Sequence, residues 1–238
     1  KMCGACSDLC LIRGPLQNAT LRKGTVTGTS NWDSLGVIIM KELVSCNNNI
    51  WYNETAIPKT NGFDINHISL QHFTANAKNI DYTGKYTNVR VLSASGIDKS
   101  GFVFDSLRGN FAMVVDSSVY ISNLYLQTPR SKIQGSAFVY PYSFTDWRRS
   151  TVQNKIQFND NIISKADLQL LMPGIAHTYQ KQLQGISTIY LTASADGNAK
   201  RAVIHRVTLR TTRKDIYFDG SGLVKNPFSK NVFHFAAR

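Results

Sequence analysis

The sequence predicts an all-β fold: one antiparallel-rich, repetitive sheet with a single short helix. Three observations carry this. Segment after segment alternates apolar and polar residues with a period of two, the spacing of a strand with one face in and one face out. The clearest run, Gly96 to Tyr140, holds three or four such strands separated by very short polar turns. Its middle, Ile121-Ser-Asn-Leu-Tyr-Leu-Gln-Thr128, recurs elsewhere in the chain.

Taken in order, residues 1–15 hold Cys3, Cys6 and Cys10 and end on Gly14-Pro15. Leu16 to Gly28 is Thr-rich and alternating, hence strand-like. Ser30 to Ser34 reads as a turn leading to the strand Leu35–Lys41. The three asparagines of Cys46-Asn-Asn-Asn49 predict another turn. Pro58 to Gly62 is the next break. Residues 1–60 thus form an N-terminal segment of strands with a cysteine cluster, continuous with the sheet of 61–238.

Beyond the break, Phe63–Leu70, His72–Ala77 and Tyr86–Ala94 read as strands. Pro141 to Ser150 is a loop carrying Tyr142, Phe144, Trp147, Arg148 and Arg149. After the strand Thr151–Phe158 comes the short helix, near 165–172: Ser164 caps it, Asp167 sits in its first turn, and Pro173-Gly174 stops it. Strands then return at Ser187–Ala193, Ala202–Thr211, Asp215–Gly222 and Val232–Phe235.

The repeat is specific enough to predict geometry. Ile65-Asn-His-Ile-Ser-Leu-Gln71, Ile121-Ser-Asn-Leu-Tyr-Leu-Gln127 and Ile204-His-Arg-Val-Thr-Leu-Arg210 fit one pattern, with Leu16–Arg22 a looser copy. Each sets its second apolar residue three positions after its first, which breaks the alternation once. A bulge there would bring all three apolar residues to one face. Lys132–Val139 also resembles Asp215–Val224 with a small insertion. Repeats of this kind stack into units that share a continuous apolar face.

Composition bounds the function. A formal charge of +12 favours anionic contacts, yet the Lys and Arg residues are scattered and no dense basic block stands out. No apolar run is long enough for a membrane-spanning helix, and the opening Lys1-Met2-Cys3 does not read as the charged n-region and apolar h-region of a signal peptide. The start at Lys1 and the strand-like end predict a piece of something longer.

Catalytic signatures are missing. The histidines 67, 72, 177, 205 and 234 have no metal-binding spacing; no GxSxG, GxGxxG or Walker loop occurs; acidic residues are few and dispersed. The chain is therefore expected to be non-enzymatic, without cofactor. Cys3-x-x-Cys6 with Cys10 and Cys46 leaves three uses open: a zinc site lacking the usual second close pair, disulfides, or small apolar strand residues. Asn18-Ala-Thr20 and Asn53-Glu-Thr55 are glycosylation sequons of a kind frequent by chance. The Trp147 loop has the aromatic-plus-basic character of a headgroup or nucleic-acid contact.

A sheet with one apolar face must cover it, and no adequate amphipathic helices are present. Either the sheet folds over itself as a sandwich, or it curls and leaves an apolar groove. Ile68, Leu70, Leu124, Leu126, Ile133, Val139, Val207, Leu209 and Ile216 are the expected lining. A sandwich interior would use the same residues.

Phe63-Asp-Ile-Asn-His-Ile68, Leu92-Ser-Ala-Ser-Gly-Ile-Asp-Lys-Ser-Gly-Phe102, Ile121 to Ser131 and Ser164 to Pro173, in this order and spacing, resemble the TamB/AsmA-like envelope proteins of Bacteroidota. Residues 1–60 share only the general character, and the clustered cysteines are not part of that pattern. The resemblance implies an elongated, curled sheet of the β-taco type with an apolar concave face. It implies an inner-membrane-anchored protein spanning the periplasm, a groove that carries phospholipid acyl chains, and a BamA-like outer-membrane partner met through regions outside this chain. Nucleic acid is not an expected partner. The competing expectation is a closed β-sandwich or solenoid adhesin for glycans or anionic surfaces, binding through loops such as Tyr142–Arg149.

Overall fold

The computed structural model describes residues 38–53, 58–64, 67–83, 85–114, 117–140, 153–178, 180–181, 183–198, 200–212, 216–225 and 234–237. Among these residues eleven strands form one antiparallel sheet in which each strand pairs with its neighbours in sequence. They are β1 (Ile38–Asn53), β2 (His67–Tyr82), β3 (Tyr86–Asp98), β4 (Val103–Val114), β5 (Ser118–Gln127) and β6 (Lys132–Tyr140). Then follow β7 (Gln153–Ser164), β8 (Thr188–Gly197), β9 (Arg201–Thr211), β10 (Tyr217–Lys225) and β11 (His234–Ala237). Between β7 and β8 lie two short helices, α1 (Lys165–Leu171) and α2 (Pro173–Thr178). Among the described residues the sheet is open: β1 pairs only with β2, and β11 only with β10. Among the described residues no second sheet packs on it, so the closed sandwich is not the architecture they adopt.

Two expected breaks turn out to be bulges. The sequence predicts a turn at Asn47–Asn49, but β1 runs straight through. Asn47 takes a left-handed conformation (φ 51°) where the register with β2 slips. Asparagine tolerates that region, and here it makes a bulge because partners meet its polar groups. Its N–H donates to Thr74 Oγ1 at 3.1 Å and its Oδ1 lies 2.8 Å from His72 Nδ1. His72 (φ 53°) likewise bulges β2, joining two expected strands into one.

The helical segment closes one end. Ser164, extended at φ −74° and ψ 144°, accepts the N–H of Asp167 at 3.0 Å and starts α1. The sequence predicts that Pro173 ends the helical stretch. It ends α1 and then opens α2, because proline's fixed φ and missing N–H suit a first helical position.

Leu170 and Leu171 pack against a core cluster of Leu70, Ala75, Ala94, Phe102 and Phe104, and the N–H of Phe63 donates to Leu170 O at 2.8 Å. In a flat sheet β7 and β2 would stand about 24 Å apart, whereas α1 spans about 10 Å. The helix reaches the cluster because the sheet curls toward it. Register shifts recur from strand to strand, and bulges increase local twist and bend the strand that bears them.

Asp167 anchors this closure. Only 2% exposed, it accepts hydrogen bonds from Thr128 Oγ1 (2.6 Å), Ser131 Oγ (2.6 Å) and Arg130 Nη2 (3.1 Å), all in the β5–β6 turn. Burial alone would raise its pKa. The hydrogen bonds of Ser131, Thr128 and Ser164, with the charge of Arg130, outweigh burial and hold the carboxyl below its ordinary value of 3.8. The folded pKa lies below the unfolded one, so the stabilisation is complete above the unfolded pKa and is lost as pH falls through the folded one. Urea midpoints should therefore hold down to about pH 4 and decline below it. In Asp167→Asn that part of the acid slope should vanish; an unchanged slope would place the acid sensitivity elsewhere.

Candidate functional site

Opposed residues of an antiparallel pair point to the same side of a sheet, so the register assigns every strand residue to a face. One face is apolar almost throughout. Leu126 of β5 stands between Leu107 of β4 and Ile133 of β6. Ile50, Leu70 and Phe73 extend the face across β1 and β2, and Val224 carries it into β10. The helix packs on this side, so this is the concave face.

The bulges keep it apolar. In β5 the register slips between Ile121 and Leu124, where Asn123 has φ 52°. Ile121, Leu124 and Leu126 consequently share the concave face, as the repeat pattern predicts. The same slip occurs in β9 between Ile204 and Val207, against both neighbouring strands. Without it, Ile204 would point to the opposite side. The corresponding residue of the earliest well-matched copy, Ile65, and the whole of Leu16–Arg22 lie outside the described residues.

Ile68, Leu70, Leu124, Leu126, Ile133, Val139, Val207 and Leu209, all named from sequence, occupy this one face. Leu70 is buried in the core cluster, and the other seven are half-buried. Ile216 lies one residue before β10 and is 39% exposed. Phe218 on the same face is 41% exposed, too much for a packed interior. The deepest side chains described are polar, Asn161 and Asp167.

Sequence reasoning missed a corrugation. Across the strands, one row reads Leu124, Gly135, Phe158, Ala193, Val207, Gly220. The next reads Ile121, Ala137, Ile156, Ala195, Ile204, Gly222. Bulky side chains stand on β5, β7 and β9, and small ones on β6, β8 and β10. The small residues leave room beside the bulky rows, except at Gly135, which the Phe158 ring covers. The alternation exists only between strands, and no spacing within one strand reveals it.

The opposite, convex face is polar and aromatic. Arg108 lies over the Tyr125 ring at 4.4 Å, and Arg210 over Tyr190 at 6.0 Å. His205, in the β9 bulge, contacts Asp196. Cys46 lies half-buried on β1, whereas Cys3, Cys6, Cys10 and the Tyr142–Arg149 loop lie outside the described residues. Among the described residues, no three His, Cys, Asp or Glu side chains converge where a metal could sit, and no helix is long and apolar enough to cross a membrane. No known family, curated protein or solved structure matches the chain.

Proposed function

We propose that this chain is a non-enzymatic, lipid-conducting segment whose concave face carries phospholipid acyl chains. In this reading it belongs to a periplasm-spanning, inner-membrane-anchored protein that moves lipid between membranes or supports outer-membrane protein assembly. A BamA-like partner would be met through regions outside the chain. The observation that supports the reading is the continuous apolar face left half-exposed from β2 to β10.

An acyl chain is a flexible rod of methylenes, and the row of small residues along β8 offers it a bed between the bulky side chains of β7 and β9. Full burial is worth about 0.8 kcal/mol per methylene, and half-embedding about half that. The headgroup stays in water at the open end of the sheet, away from the helical closure. Because successive strands repeat the same apolar chemistry, a chain stepping between them meets a nearly level energy profile.

Leu126 and Leu209 test this. Both are half-buried, so a glutamate can keep its carboxylate hydrated while placing charge in the acyl path. The double variant Leu126→Glu, Leu209→Glu should lose at least about tenfold of its crosslinking to a photoactivatable phosphatidylethanolamine and keep its β circular dichroism. Undiminished crosslinking with an intact sheet would reject the conduit.

A further inference from the structure

We propose that the convex face carries a second binding site, for a neutral oligosaccharide, in a depression across β5, β6 and β7. The depression holds about 520 Å³ and is lined by Tyr120, Asn123, Gln134, Ser136, Gln157 and Asn159, among others. Its lining includes no charged side chain, although the chain carries +12 overall.

Most of its polar side chains are uncommitted. Ser122 of the lining accepts from Asn110, and elsewhere on the convex face hydroxyls, amides and acids pair off, as in Tyr125 with Gln127 and Thr192 with Asp160. Among the described residues, the side chains of Asn123, Gln134, Ser136, Gln157 and Asn159 make no such bond. Three of these five, Asn123, Gln157 and Asn159, are exposed. Four amides and a hydroxyl thus offer donors and acceptors together over a small area.

An aromatic platform adjoins them. Tyr120 meets Phe138 edge-on at 6.4 Å, and Phe138 stacks with Tyr140 at 6.5 Å and 4°. Tyr120 and Tyr140 are 47% and 50% exposed, a large apolar area to leave in water. A pyranose ring has a C–H face that lies on an aromatic ring and a rim of hydroxyls that both donate and accept. The depression presents the complement of both.

Other ligands fit less well. A phosphate or nucleic acid needs cations that the lining lacks. An extended peptide added as a strand needs an open sheet edge, and β5, β6 and β7 are each paired on both sides. A lipid tail would strand the amides without partners.

Calorimetric titration of the whole chain with cellohexaose, maltohexaose and chitohexaose, and with the anionic hexamer of galacturonate, tests the site. At least one neutral hexamer should bind, with affinity unchanged between low and high salt. Tyr120→Ala should weaken it about tenfold and Gln157→Ala about fivefold, with circular dichroism unaltered. Tyr120→Phe, which keeps the ring, should recover most of the loss. Absence of neutral binding at millimolar sugar, binding that survives both alanine substitutions, or binding of galacturonate alone with loss in salt would each overturn the proposal. The site does not rest on the acyl groove: Leu126→Glu with Leu209→Glu should leave sugar binding intact.

Discussion

Asp167→Ala should detach the helical closure from the sheet. Two hydroxyls, of Thr128 and Ser131, and the guanidinium of Arg130 converge on that carboxylate, which is 2% exposed. Removing it leaves two buried hydroxyl donors unmatched, a loss of about 1–3 kcal/mol each, while Arg130 turns to water. Because α1 is only seven residues long, it cannot hold its helix without tertiary support. The expected result is rapid amide exchange and new proteolytic cleavage between residues 165 and 187, while β3 to β6 keep their protection. Arg130→Ala should do far less, since that side chain is 54% exposed and an exposed partner contributes about 0–1 kcal/mol. Equal effects from the two substitutions would mean that the ion pair, not the hydroxyl cage, secures the helix.

Gly135→Ala should break the β6–β7 seam. A Cβ at this position would lie 2.1 Å from the carbonyl oxygen of Gln157 and 2.8 Å from the Phe158 ring. The first obstacle is backbone inside the ladder, so relief requires the two strands to part or slip. Overpacking that must move backbone costs about 2–4 kcal/mol. The seam joins the two halves of the sheet, so denaturation should split into two transitions, with β7 to β10 losing amide protection first. Gly101→Ala offers the contrast: its φ is +87° but nothing lies within 4 Å, so only the modest strain of a left-handed alanine is expected. A Gly135 variant as stable as the parent would show that the close approach of β6 and β7 is not required.

Much of the sheet was legible because local chemistry writes it. Ser164, Asp167 and Pro173 placed α1 to within a residue. The Ile-x-x-Leu-x-Leu spacing of 121–126 and its cognate at 204–209 placed two bulges correctly. The asparagines at 47–49 misled, since asparagine serves a turn and a left-handed bulge equally well and only the cross-strand partners Thr74 and His72 decide between them. Eight of the nine apolar residues expected to line the groove share one face; Gly135, Phe158 and Ala193 do not stand out in the sequence, because their meaning lies in the strands they oppose.

The sequence by itself determined the strand periodicity, the helix cap and which residues are apolar, since these follow from φ/ψ preferences and from spacing along one chain. Only the tertiary structure decided that the apolar faces of the described residues form a single curled layer without a covering sheet, that bulky and small residues alternate across strands, and that the β5–β6 turn cages the Asp167 carboxylate. Those outcomes depend on register and curvature, which arise from contacts between residues distant in sequence.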